Sequence, residues 1–248
     1  ENLQRVELQR RGAEQFLIGG HIDRGLELIR TMLATMGMAL PRTPRAALRP
    51  LLWWRARLRW RGLHFVSRDL NDIDPDTLLR LDTCWSATTG LLLVDMISSV
   101  SFSARHLLIA LDAGEPYRLS RALAIESAAR AAYPSGRKLS RTLVQLSKDL
   151  AAHVDHPHAI GLSRLADGLM AMALGQWKKA LLLAEEALAI LRDHCVGATW
   201  ELNVAQNVVV WALMYLGELG ELSRRLPAIL AHARSSGNLY IADSVGDL

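Results

Sequence analysis

The stretch Gly168–Arg192, GLMAMALGQWKKALLLAEEALAILR, decides the fold. Its apolar residues step by three and four on both sides of Gly175, which predicts a helix, a one-turn break and a second helix starting near Trp177. Ala180, Leu181, Ala184, Ala187 and Leu188 share one face of that second helix. Small side chains there let a neighbouring helix come close, and Trp177 is expected to fill the mouth of the hairpin. A unit of this kind cannot bury its apolar face alone, so it predicts a stack of such units.

Outward from this hairpin the theme returns. Ala13, Phe16 and Leu17 lead to Gly19-Gly20, then Ile22, Gly25, Leu26, Ile29, Met32 and Leu33. Aligning the breaks sets Gly20 against Gly175 and Gly25 against Ala180. A third copy breaks at Gly217 before Leu219, Leu222, Leu226, Ile229 and Leu230, and a poorer fourth breaks at Gly114 with Glu115-Pro116 opening the next helix. Proline suits a first helical turn, where its missing N–H would have no partner.

Asp74-Pro75 reads as a capped helix start, with the helix running through Leu78, Leu81 and Trp85 to Leu92. Ser101 is a candidate cap for the helix that ends at Gly114. Pro134-Ser135-Gly136 and His156-Pro157 break the chain around a helix over 139–154. Roughly eleven or twelve helices result, with no period-two strand, and short links predict antiparallel neighbours. Two spacings depart from a regular array: MALPRTP over 38–44 and the polar SRDLNDID over 67–74. We expect one helical-repeat region over 1–248 with an irregular junction at 38–74. Glu1 in place of Met, and a final stretch 238–248 that reads as a truncated helix, suggest a fragment of a longer chain.

Composition agrees with an ordered, all-α protein: 50% of residues are hydrophobic and 22% charged, and glycine and proline stand singly. Cys84 and Cys195 read as free thiols of a reducing compartment. The most apolar windows, 90–100 and 208–217, fall well short of the ~20 residues that cross a bilayer, so no membrane partner and a cytoplasmic location are expected.

The hairpins resemble tetratricopeptide repeats. Gly168, Gly175, Trp177, Ala180 and Ala187 match that family's packing signature, and Ala13, Phe16, Gly20 and Gly25 match it in part. Ile22 stands where the family has an aromatic, and Arg192 where a closing proline is common. The resemblance implies a tetratricopeptide-like α-solenoid of stacked antiparallel hairpins. GHIDRGLELIRTMLATMGMALPRTP, DTCWSATTGLLLVD, ARHLLIALDAGEPYR and AQNVVVWALMYLGELGEL also look like the repeat region of large bacterial signalling proteins. Those carry a Ser/Thr protein kinase domain and a predicted ATPase of the signal-transducing type upstream. The resemblance implies a regulatory scaffold that binds a peptide, a protein or a neighbouring domain of the same chain. No GxxxxGK[ST], HRD or DFG occurs, so neither activity is assigned to these residues.

The charge pattern supplies the candidate site. Arg42, Arg45, Arg49, Arg55, Arg57, Arg59 and Arg61 follow one another with no acid until Asp69, and Trp53, Trp54 and Trp60 are interleaved. On a helix from Pro44, Ala47, Leu51, Trp54 and Leu58 form the core stripe. Arg45, Arg49, Trp53 and Arg57 are the expected partner-binding residues, because arginine beside tryptophan suits an acidic surface. The plainer reading is an amphipathic helix whose arginines pair with acids of neighbouring helices. Binding of nucleic acid through 42–61 is the disfavoured alternative.

His153, His156 and His158 have the spacing of metal ligands, but Pro157 between them should make the imidazoles diverge, so no metal is expected. His194-Cys195 are adjacent and point apart, which does not suit a nucleophile and its base. Glu185-Glu186 read as solvated. No catalytic residue and no cofactor is expected. An enzymatic site assembled from His106, Asp112 and Glu115 is the competing hypothesis.

Overall fold

The computed structural model describes residues 9, 12–13, 15–17, 21–92 and 94–235. Among them the fold is all-helical, with no strand. Gly20 and the stretch 238–248 lie outside the described residues. The described chain divides into two compact units, one up to Glu115 and one from Pro116.

The first unit holds α1 (Ile22–Thr35), α2 (Pro44–Arg61), α3 (Pro75–Leu91) and α4 (Met96–Ala113). Side-chain acceptors fix the starts of three of them. Thr43 Oγ1 accepts from the Ala46 N–H, Asp74 Oδ2 from Thr77, and Asp95 Oδ1 from Ser98. Asp74 was expected in this role. Ser101 was expected to cap α4 and does not: Asp95 does, and Ser101 is buried inside the helix. Aspartate outcompetes serine here because the helix gains a further turn upstream of Ser101.

Consecutive helices do not all pair. α3 and α4 pack together, but α2 lies chiefly against α4 and not against its sequence neighbours. The links at 36–43 and 62–74 are long enough to allow this. Ile29 and Leu33 of α1 join Cys84, Ala87 and Leu91 of α3, Phe102 of α4 and Met38 in one apolar cluster. The middle of α3 is buried all round, from Thr83 to Thr89. Three of its hydroxyls back-bond within the helix, Ser86 to the Asp82 carbonyl, Thr88 to that of Cys84 and Thr89 to that of Trp85, while Thr83 Oγ1 is buried without a hydrogen-bond partner.

The polar 67–74 segment is exposed except at Ile73, and it is tied down at its start. The Arg68 N–H donates to the Gly114 carbonyl at 3.0 Å, so the chain crosses the end of α4. A Cβ on Gly114 would lie 2.0 Å from the Val66 carbonyl oxygen, and the backbone there has φ 77°. Only glycine meets both demands. Gly175 and Gly217, at φ 71° and 75°, also stand at helix ends, as the sequence predicts.

The second unit is more regular. It holds α5 (Pro116–Ala131), α6 (Arg137–Val154), α7 (Pro157–Ala173), α8 (Trp177–His194), α9 (Thr199–Leu216) and α10 (Leu219–Ser235). The main contacts join α5 to α6, α7 to α8, and α9 to α8; α5 also touches α7, and α7 touches α9. Gly168 of α7 would set a Cβ 3.4 Å from that of Leu183, so the two helix backbones run close. Ala180, Ala184 and Ala187 are fully buried on the facing side, as their spacing predicts. Trp177 does more than fill a hairpin mouth: it stacks on Tyr215 of α9, with centroids 4.2 Å apart and planes 5° apart.

Candidate interaction surface

Three polar constellations and one exposed face stand out. The first constellation gathers at the starts of α5, α7 and α9. Tyr117 Oη lies 3.2 Å from His158 Nδ1, and His158 Nε2 lies 2.9 Å from Glu201 Oε1. The Glu201 side chain is 5% exposed. With the carboxylate accepting from Nε2–H, the Nδ1 lone pair is left to accept from the tyrosine hydroxyl. His156 accepts the His158 N–H on its own Nδ1 and lies 4.6 Å from the Tyr117 ring. His156 and His158 therefore converge on Tyr117, contrary to the expected divergence. Pro157 starts α7 between them, and the side-chain cap by His156 folds it back over the first turn. His153 stays exposed on α6. No metal-holding group occurs among the described residues.

The second is a buried carboxylate between two lysines. Asp167 of α7, 6% exposed at its side chain, accepts from Lys148 of α6 at 3.1 Å and Lys179 of α8 at 3.2 Å. The third is a surface ladder. Glu185 of α8 accepts from Arg225 of α10 at 2.7 Å, and Glu221 accepts from both Arg224 and Arg225. These two arginines hold the Glu221 carboxyl below its usual range. Glu185 and Glu186 are thus paired rather than merely solvated, Glu186 with Arg164 at 3.6 Å. All three constellations tie helix to helix within the second unit.

The residues of the competing catalytic hypothesis are placed as follows. His106 is buried in α4, edge-on to Trp85 at 6.1 Å. Asp112 is exposed on another face of the same helix and accepts from Arg61 Nε at 2.7 Å. Glu115 is buried beyond the end of α4. Cys195 ends α8, its thiol raised above the ordinary range by burial, with the Glu201 charge adding to this. A raised thiol is a poor nucleophile near neutral pH.

The exposed face belongs to α2. Ala47 and Leu58 are buried on its inner side, as predicted, and Trp54 lies half-buried beneath the Arg105 guanidinium at 5.0 Å. Arg45, Arg49, Arg57 and Arg59 are exposed, and Trp53 and Trp60 stand out at 54% and 88%. Arg57 covers the Trp53 ring at 5.3 Å, the arginine–tryptophan contact the spacing suggested. Arg61 behaves differently, binding Asp112 and the carbonyls of Gly62 and His64, and so anchors the link after α2. Among the described residues no carboxylate pairs with Arg42, Arg45, Arg49, Arg57 or Arg59. The reason is compositional: no Asp or Glu occurs between Glu27 and Asp69.

Sequence reasoning missed two features of this face. Leu48 and Leu52 are exposed, at 44% and 67%, although leucine normally marks the inner side. Their phase could have shown it, since both fall outside the Ala47–Leu51–Trp54–Leu58 stripe. No protein-family model, curated protein or solved structure matches the chain, so this surface is read from its own chemistry.

Proposed function

We propose that the chain is a tetratricopeptide-like helical scaffold that binds an acidic protein segment through the outer face of α2. The observation that carries this reading is the row of exposed, unpaired guanidinium groups at Arg45, Arg49 and Arg57, with Trp53 among them. Unneutralised cations spaced along a helix attract and orient an anionic partner. Exposed Leu48 and Leu52 between the arginines favour a protein over the phosphate backbone of a nucleic acid, which offers nothing apolar to meet them. The resemblance to repeat regions of large bacterial signalling proteins supports a regulatory role beside kinase and ATPase modules, with the acidic segment supplied by such a module or by a separate protein.

The test is direct. A labelled, unstructured Asp/Glu-rich peptide is titrated by anisotropy against the wild type and the triple variant Arg45→Glu, Arg49→Glu, Arg57→Glu. Salt-sensitive binding that disappears in the variant, with an unchanged melting midpoint, supports the reading. Equal binding by the variant, or collapse of its helicity, overturns it.

A further inference from the structure

The α2 surface has a finer pattern than charge alone, and its exposed side chains form rows. Arg45, Arg49, Trp53 and Arg57 repeat every fourth residue and make one ridge. Leu48, Leu52, Ala56 and Trp60 repeat at the same spacing and make the next. All eight are exposed. Arg59 flanks the second ridge on its far side. The Leu48–Trp60 ridge is therefore bordered along one side by Arg45, Arg49 and Arg57 and, toward the end of the helix, by Arg59 on the other. α2 spans 18 residues, about 27 Å, long enough to seat several turns of a partner.

We propose that the occupant of this surface is an amphipathic helix of a partner protein, with an apolar stripe flanked by carboxylates. This rests on the reading of α2 as an acid-binding face and specifies the shape of what binds. Two adjacent four-residue ridges bound a groove that accepts the four-residue ridge of another helix, with axes crossing at about 50° and 8–10 Å apart. The apolar stripe of the partner would cover Leu52 and Trp60, the most exposed large apolar residues of α2. Its flanking carboxylates would then reach Arg45 and Arg49 on one side and Arg59 on the other. Charge complementarity selects the acidic partner, because a basic helix would meet like charge at Arg45, Arg49, Arg57 and Arg59 and no carboxylate paired with them among the described residues.

An anionic membrane also attracts leucine, tryptophan and arginine. It is disfavoured by the narrowness of the apolar strip, since a helix lying in a bilayer surface sinks a broad apolar face and here the neighbouring row is arginine apart from Trp53.

The experiment uses the whole chain and three probes: a roughly 18-residue peptide with leucines in a helical stripe bordered by glutamates, a scrambled peptide of identical composition, and phosphatidylserine vesicles. The expected result is binding of the striped peptide with a gain of helicity, and binding of the scrambled peptide weaker by about tenfold or more. Leu52→Ala with Trp60→Ala, both on the solvent side, should lose a similar factor with an unchanged melting midpoint. Equal binding of the two peptides overturns helix docking and leaves acid recognition standing. Binding of neither overturns both. Binding of vesicles in preference to the striped peptide overturns the proposal in favour of a membrane surface.

Discussion

Ser147 of α6 donates its hydroxyl to the backbone carbonyl of Ser120 in α5 at 2.8 Å, and Ser140 repeats the bond to Ser127 at the same distance. One helix is read forwards and the other backwards, seven residues apart in each, so the two bonds fix an antiparallel register two turns long. All four serines are buried. Each is small enough to let the helices approach, and each of the four hydroxyls finds a carbonyl, so none of these buried donors is left unsatisfied.

Ser147→Ala and Ser140→Ala should each lower stability by about 1 kcal/mol, the net worth of a neutral hydrogen bond. The carbonyls they release keep their helical partners, which limits the loss. Ser147→Leu should cost more, about 1–3 kcal/mol, because the seam has no room for added methylenes. Chemical denaturation of the three variants checks the order; a harmless leucine would show that the seam is loose.

Asp167 is the second brace of this unit. Replacing both Lys148 and Lys179 with Met leaves a nearly buried carboxylate without a cation, whereas Asp167→Leu removes the charge and frees two lysines that already reach solvent. The double lysine variant should therefore be the less stable, by about 2–4 kcal/mol relative to wild type. The partial exposure of both lysines sets the lower end. Denaturant midpoints of the two variants decide it, and the reverse order would mean that solvent already reaches the carboxylate.

Much of this architecture is legible in the residues. Gly114, Gly175 and Gly217 predict corners because a left-handed backbone costs glycine nothing. Asp74-Pro75 and His156-Pro157 predict helix starts for an equally local reason. What escapes is tertiary. Nothing in the periodicity of α2 says that it packs on α4 instead of on a neighbour in sequence. That choice depends on links whose path is set by contacts such as Arg68 to Gly114. The candidate surface divides the same way. The exposure of Arg45, Arg49 and Arg57 was legible because an acid-free run cannot neutralise itself, while that of Leu52 was legible only from its phase outside the core stripe, because hydrophobicity alone argues for burial.

The two thiols should behave differently. Cys84 is fully buried, its Sγ 3.8 Å from Met38 Sδ, and burial pushes its pKa up to about 12. A water-soluble disulfide reagent at pH 8 should modify Cys195 slowly and leave Cys84 untouched until the chain unfolds. The Cys195 rate should keep rising with pH beyond the ordinary thiol range, because burial raises this pKa as well. For Cys84 the sign of linkage follows from a folded value above the unfolded one. Its contribution to stability is complete below the ordinary thiol range and is lost as pH climbs toward 12. Thiol counts before and after denaturation test the assignment, and two fast thiols in the native chain would refute it.

The ladder of Glu221, Arg224, Arg225 and Glu185 joins α8 to α10, and its pH dependence has a defined sign. The Glu221 carboxyl is held below its ordinary value, first by the hydrogen bond from Arg224 and then by that from Arg225. A folded value below the unfolded one gives stability that is present above the ordinary glutamate range and is lost as pH falls through the lowered value. Glu221→Gln should therefore melt earlier than wild type at neutral pH. The gap should narrow in acid, where the wild-type carboxyl also becomes neutral, and it should narrow in high salt, because the ladder faces solvent and its charges are screened. Amide exchange along α10 reports the same loss locally, since this helix makes fewer packing contacts than α8 and leans on the ladder. A gap that stays constant from neutral pH into strong acid would show that the glutamine acts through packing and not through the missing charge.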